Sequence, residues 1–204
     1  AINLRFLNQF PQHKNWFYQP KPEQASSPAT EAQTPEERME ELADDLKQKL
    51  AADILERLKE MNPFRFERVV LDLLVAMGYG GSRKEAAEIG KGTNDGGVDG
   101  LINEDRLGLD RIYVQAKRWQ SSVGRPEIQN FVGALAGQHA TKGIFITTSE
   151  FSSGAGDFAK SVTQRVILID GQRLAELMIE HNIGVSRAFN YEIKRVDSDY
   201  FEEE

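Results

Sequence analysis

The chain has 204 residues, 40% of them hydrophobic and 28% charged, which suits one globular domain with extensions and a sizeable core. It contains no cysteine, which excludes disulfide frameworks, thiolate zinc sites and cysteine nucleophiles and agrees with a cytoplasmic location. The formal charge of −7 argues against indiscriminate coating of nucleic acid, and no apolar run approaches the roughly 20 residues that span a membrane.

Residues 1–33 are predicted to hold the tail of an upstream domain and a linker. Aromatic residues near the start give way to residues 19–30, a polar and proline-rich stretch whose composition is typical of a linker. An aromatic-rich segment ahead of a linker is what the end of another domain would leave. We therefore expect an upstream domain that is absent from this chain.

A connecting helix is predicted over residues 34–62. Thr34 is placed to act as N-cap, Pro35 occupies the first turn, and Glu37 completes a capping box with Thr34. Apolar side chains then follow at spacings of three and four, which is one face of a helix: Met39, Leu42, Leu46, Leu50, Ile54 and Leu58. Such a face is compatible with the pairing of two subunits.

Residues 63–186 are predicted to form one α/β domain, followed by an acidic C-terminal tail over 187–204. The pattern predicts, in order, a helix from Phe66 to Gly78, strands over 98–102 and 111–117, a helix from Pro126 to about residue 140, a strand over 143–147, a helix near 155–163, a strand over 166–169 and a last helix that starts at Asp170. This order predicts a mixed-sheet α/β core, to which the connecting helix is an N-terminal extension.

Two neighbouring segments carry the residues that predict the chemistry, Gly96-Gly97-Val98-Asp99-Gly100 and Tyr113-Val114-Gln115-Ala116-Lys117. Because side chains alternate along a strand, Gln115 and Lys117 share one face, and a hairpin would bring Asp99 to them. A carboxylate and an amide oxygen can bind a hard cation such as Mg²⁺, and a lysine can help to deprotonate an attacking water. The simpler alternative is a turn aspartate and a solvated lysine at a sheet edge.

Five separated blocks within residues 63–184 resemble the catalytic domain of Mrr-type restriction endonucleases. They are Phe66-Glu67 through Leu74, Met77-Gly78-Tyr79, Gly96 to Gly100, Gln115-Ala116-Lys117-Arg118, and Phe145-Ile146-Thr147-Thr148-Ser149. That family belongs to the PD-(D/E)xK nuclease superfamily and carries Gln where its relatives carry a second carboxylate. The resemblance implies a restriction-endonuclease-like core that hydrolyses double-stranded DNA with Mg²⁺ (or Mn²⁺).

The resemblance also implies a role for each site residue. Asp99 would be the principal metal ligand, Gln115 the second ligand position and Lys117 the catalytic lysine. Glu67 would match the helical acidic residue that completes such sites, although an acid on a helix surface needs no such role. Since an amide attracts a second cation less than a carboxylate does, we expect one metal ion per site.

The same resemblance has consequences for substrate and partners. It implies a bacterial restriction enzyme that acts on modified (methylated) DNA and usually carries a separate N-terminal winged helix that binds DNA. Cutting both strands requires two sites, so we expect a homodimer or a higher homo-oligomer, and no membrane partner.

A basic stripe adjoins the predicted site. Residues 106–126 hold five basic side chains and one acidic one, whereas residues 1–62 and 187–204 each carry a net charge of −3. The candidates for contact with DNA phosphates are Arg118, Arg125, Gln129, Thr148 and Ser149. A solvated basic face, and hydroxyl groups that cap the following turn, are the alternatives.

Two other functions stay open. One is a catalytically silent DNA-binding module on the same fold, although the presence of both Asp99 and Lys117 argues against a decayed site. The other is an interaction protein that pairs subunits through the connecting helix.

Overall fold

The computed structural model describes residues 33–80, 99–104 and 109–201. Contacts divide the chain into two units, Ala1–Leu42 and Ala43–Glu204. In the first unit, the Thr34 N–H donates to Glu37 Oε2 at 2.7 Å, and the Glu37 N–H donates to Thr34 Oγ1 at 3.2 Å. This reciprocal pair confirms the predicted capping box at the start of helix α1, Pro35–Glu60. The predicted upstream tail and most of the linker, residues 1–32, lie outside the described residues.

The second unit contains the α/β core. Its elements after α1 are α2 (Pro63–Ala76), β1 (Gly100–Asn103), β2 (Arg111–Lys117), α3 (Arg125–Gly137), β3 (Lys142–Thr147), α4 (Ser153–Ser161), β4 (Arg165–Ile169), α5 (Gly171–Glu180) and a 3-10 turn (Asp199–Phe201). The order of helices and strands confirms the predicted order. None of the described helices combines the length and the apolar composition that crossing a bilayer requires.

Local signals account for the limits of these elements. The Asn62 side chain accepts a hydrogen bond from the Phe64 N–H and so caps α2, which ends before Gly78 at a φ of 100°. Helix α3 ends at Gly137, three residues before the predicted end, and His139 adopts a φ of 54°. Helix α4 begins two residues early because Ser152 caps it. The predicted start of β1 at Val98, with Gly96 and Gly97, lies outside the described residues.

The four described strands form one mixed sheet in the order β1-β2-β3-β4. Strand β1 runs antiparallel to β2, as a short hairpin allows, whereas β2, β3 and β4 are parallel and are connected by helices. Lys117, the last residue of β2, pairs with Thr147, the last residue of β3. The carboxyl ends of these two strands therefore meet at one edge of the sheet.

An apolar layer covers each face of the sheet. On one face the strands pack with α1, α2 and α5 around Phe66, Ile102 and Leu174. On the other face α3 and α4 pack around Phe131 and Phe145, whose rings meet edge to face with centroids 5.6 Å apart. The mixed sheet between two helical layers confirms the predicted fold class.

Only part of the apolar stripe of α1 reaches the core of the second unit. Ala51, Ile54 and Leu58 are buried, whereas Leu46 and Leu50 are 55% and 40% exposed. The exposed leucines belong to the face that the sequence suggests for subunit pairing, and that pairing stays a prediction.

Candidate active site

Asp99 lies directly before β1, where the hairpin holds both its backbone and its side chain. Its N–H donates to the Val114 carbonyl at 2.9 Å, and its Oδ2 accepts a hydrogen bond from the Ala116 N–H at 2.9 Å. A carboxylate held by a backbone donor has a defined direction before any ligand binds. The side chain keeps 18% of its surface exposed, so it remains accessible from solvent.

Lys117 ends β2 beside Asp99. Its Nζ lies 3.7 Å from Asp99 Oδ2, and its side chain is 32% exposed. Its carbonyl accepts two hydrogen bonds from the neighbouring strand end, from Thr147 Oγ1 at 2.9 Å and from the Thr148 N–H at 3.3 Å. The hairpin therefore brings the predicted Asp–Lys pair together, and β3 fixes the backbone that carries the lysine.

Glu67 lies half-buried on α2 and interacts electrostatically with this pair. Burial raises the pKa of Glu67 above its usual value, the charge of Asp99 raises this pKa further, and the charge of Lys117 lowers it. The structure thus brings a residue 32 positions upstream into the field of Asp99.

Gln115 occupies the middle of β2 and is 6% exposed. Its neighbours Val114 and Ala116 belong to the apolar layer of α1, α2 and α5. Since side chains alternate along a strand, Gln115 and Lys117 point to the opposite face, as the sequence predicts.

The hydroxyl groups after β3 are buried and are bonded within the protein. Thr148 Oγ1 donates to the Trp119 carbonyl at 2.8 Å, and the Ser149 N–H donates to Thr147 Oγ1 at 3.2 Å. A Cβ on Gly171 would stand 2.5 Å from the Thr148 carbonyl oxygen, so only glycine allows α5 to begin this close to the turn. For Thr148 and Ser149, this arrangement agrees with the capping alternative, and their contact with DNA phosphates stays a prediction.

Three of the residues that the sequence predicts to contact DNA phosphates have different surroundings. The Arg118 guanidinium donates through Nη1 to the Lys59 carbonyl at the end of α1. Arg125 is exposed in the first turn of α3, with its guanidinium carbon 5.0 Å from the centre of the Phe158 ring, and Gln129 is exposed one turn later. Sequence reasoning missed the contact of Arg118 because no local pattern links it to Lys59.

The donor types around Asp99 fit a hard divalent cation. As the sequence predicts the site, Glu67 and Asp99 would offer carboxylate oxygens and Gln115 would offer an amide oxygen, which are ligand types that Mg²⁺ accepts. A bound cation would relieve the repulsion by which Asp99 raises the pKa of Glu67. Among the residues that the structure describes, no cluster of three or more His, Cys, Asp or Glu is placed to hold a metal. A site here would therefore supplement two carboxylates with a neutral ligand.

Comparison with known sequences identifies two matches. Residues 58–178 match the Mrr_cat family, described as restriction endonuclease. Over 169 residues the chain is 51% identical to the type IV methyl-directed restriction enzyme EcoKMrr of Escherichia coli (strain K12), a match that covers 83% of this chain and 55% of that enzyme. The chain thus spans about half of the length of this curated relative.

Solved structures with a similar fold include two restriction endonucleases. The MspJI restriction endonuclease, solved in complex with a 27-mer oligonucleotide, is 22% identical with a TM-score of 0.50, and the match covers 77% of this chain and 37% of that one. The DNA modification-dependent restriction endonuclease AspBHI is 23% identical with a TM-score of 0.51, over 82% and 41% of the two chains. At this identity the likeness concerns the fold alone, a restriction-endonuclease-like α/β core.

Proposed function

Since this chain belongs to the Mrr_cat family of restriction endonucleases, we propose that it supplies the cutting domain of a cytoplasmic, Mg²⁺-dependent enzyme that hydrolyses phosphodiester bonds in methylated double-stranded DNA. A methylated substrate is proposed because EcoKMrr is a methyl-directed enzyme. The DNA-reading part is proposed to be an upstream winged helix joined through residues 1–62. The proposed domain limits are those of the sequence prediction, with 63–186 as the catalytic domain.

One observation carries the proposal: Lys117 Nζ lies 3.7 Å from Asp99 Oδ2, and the same oxygen is held by the Ala116 N–H. A solvated edge lysine would have no fixed carboxylate partner. Here the cation and the carboxylate stand at one sheet edge, partly exposed, with Glu67 electrostatically coupled to both. Partly exposed charged groups with a perturbed carboxyl are typical of catalytic sites.

Each residue of the site has a proposed role. Asp99 and Gln115 are the metal ligands, and Glu67 adds a second carboxylate to the same site. Mg²⁺ (or Mn²⁺) when bound would offset the negative charge that develops on the phosphate in the transition state. Lys117 holds the attacking water and helps to remove its proton. With a neutral amide at position 115, we propose one metal ion per site.

Contacts with DNA are proposed at the start of α3. Arg125 and Gln129 are exposed there, and the N-terminal end of a helix attracts phosphate through its unpaired N–H groups.

Cutting both strands of DNA requires two active sites, so we propose a homodimer or a higher homo-oligomer. The exposed Leu46 and Leu50 of α1 are the proposed pairing surface.

Plasmid nicking tests the function. The full-length protein is incubated with Mg²⁺ and either methylated or unmethylated supercoiled plasmid, and the same is done with Asp99→Ala. We expect cutting of methylated plasmid by the parent and loss of cutting by at least about a hundredfold in Asp99→Ala, since the principal ligand is lost. Asp53→Ala, which removes an exposed carboxylate of α1, is the matched control and should cut like the parent.

The outcomes separate the parts of the proposal. No cutting of either plasmid by the parent would contradict the nuclease function, and equal cutting of both would contradict the dependence on methylation. If Asp99→Ala cuts as well as Asp53→Ala, the assignment of the site is wrong.

A further inference from the structure

Arg118 connects the strand that carries Lys117 to the end of α1. It is the residue directly after Lys117, and its Nη1 donates to the carbonyl of Lys59, the last residue but one of the helix. The final carbonyl groups of a helix lack partners within the helix and lie at the negative end of its dipole. A guanidinium cation is therefore a favourable partner for this helix end.

The helix end that Arg118 contacts is anchored in the core. Ala51, Ile54 and Leu58, which face the sheet from the second half of α1, are all buried. A side chain bonded to this helix end is thus bonded to a rigid part of the domain, and Arg118 cannot move far without losing that bond.

Lys117 is held from the other side by β3. Its carbonyl accepts hydrogen bonds from Thr147 Oγ1 and from the Thr148 N–H, at 2.9 and 3.3 Å. The peptide between Lys117 and Arg118 is therefore fixed by β3 at its carbonyl and by α1 through the next side chain. This double attachment determines where the lysine side chain starts and hence how it reaches Asp99.

The contact of Arg118 with the helix end also has a cost in stability. Within the described part of the chain, its Nε is buried and makes no hydrogen bond. A buried donor without a partner is unfavourable, and an apolar side chain of similar length would avoid that cost.

We propose that Arg118 is a positioning residue, which holds Lys117 in its reactive place by bonding the end of α1. The inference rests on the proposed nuclease function. It gives Arg118 a role in the rate of cutting and none in the binding of DNA. Because Arg118 bonds the Lys59 carbonyl, the position of this helix end and the place of the lysine depend on one another.

The test separates rate from binding. Arg118→Met and Arg118→Lys are compared with the parent in the full-length protein, and DNA affinity is measured with Ca²⁺ in place of Mg²⁺. Cutting rates are measured as single turnovers at saturating plasmid and are divided by the folded fraction. Arg165→Met is the matched control, because Arg165 is exposed at the opposite end of the sheet.

We expect Arg118→Met to cut about ten- to a hundredfold more slowly, as a displaced catalytic group does, with its affinity for DNA unchanged. Arg118→Lys should keep a larger part of the rate, since an ammonium can still donate to the Lys59 carbonyl. Arg165→Met should match the parent in both measurements.

Two results would overturn the inference while leaving the proposed function intact. One is an Arg118→Met protein that cuts like the parent at saturating DNA. The other is weaker DNA binding with an unchanged saturated rate, which would make Arg118 a phosphate contact. A parent that does not cut would remove the proposed function and this inference with it.

Discussion

Replacement of Thr147 by valine removes one hydroxyl from the buried turn behind the proposed catalytic lysine. Thr147 is fully buried, and valine has nearly the same shape. The hydroxyl donates to the Lys117 carbonyl at 2.9 Å, accepts from the Ser149 N–H at 3.2 Å and also lies 3.2 Å from Ser149 Oγ. In Thr147→Val the Lys117 carbonyl keeps the bond from the Thr148 N–H, but the Ser149 N–H loses this acceptor.

The main loss of stability is expected from the bonds to the Lys117 carbonyl and to the Ser149 N–H. A lost hydrogen bond costs about 1 kcal/mol, and a buried N–H without a partner costs about 1–3 kcal/mol. The free energy of unfolding should therefore fall by about 2–4 kcal/mol, which lowers the Tm of a domain of this size by about 5–15 °C. The control Thr147→Ser keeps the hydroxyl and loses one methyl group, at a cost of about 1 kcal/mol.

Thermal unfolding followed by circular dichroism distinguishes the two variants. We expect Thr147→Val to unfold at a lower temperature than Thr147→Ser. If the valine variant is as stable as the serine variant, the hydroxyl does not stabilise this turn and the reasoning from its hydrogen bonds is refuted.

Two further predictions concern the residues around Asp99. Gln115→Glu adds a negative charge, so the Mg²⁺ concentration for half-maximal cutting should fall several-fold; an unchanged metal dependence in the nicking assay would show that position 115 does not touch the ion. Because burial, and then the charge of Asp99, raises the pKa of Glu67, the folded protein binds a proton there more tightly than the unfolded chain does. This tighter proton binding stabilises the folded protein below the usual pKa of 4.5. The stabilisation is lost as the pH rises through the raised pKa of Glu67. Metal-free Glu67→Gln should therefore be more stable than the parent at pH 7 but not at pH 4, and an equal difference in Tm at both pH values would contradict this.

Much of the fold was predictable because its signals are local. The capping box of Thr34 and Glu37 and the glycine that ends α2 each involve residues a few positions apart. Strand β2 was predicted with its observed limits, since alternation and the flanking turn residues mark it in the sequence. The observed end of α3 differs from the predicted end, and there His139 adopts a positive φ, which a continuing helix does not allow.

The hairpin explains why the centre of the site could be predicted as well. Asp99 and Lys117 lie 18 positions apart, and an antiparallel pair of short strands brings such residues together with little help from the rest of the domain. The role of Asp99 and Lys117 in cutting stays a prediction until the nicking assay is done.

By itself the sequence determined the order of elements, the capping box of α1, the mixed sheet and the meeting of Asp99 with Lys117. Only the tertiary structure decided that Arg118 bonds the end of α1, that the hydroxyls of Thr148 and Ser149 are buried, and that α1 buries only part of its apolar face. The physical reason is that the direction of a side chain depends on which distant element packs against it. The regular spacing of apolar residues in the sequence identifies one face of a helix or strand. Which element covers this face is set by contacts between residues far apart in the chain.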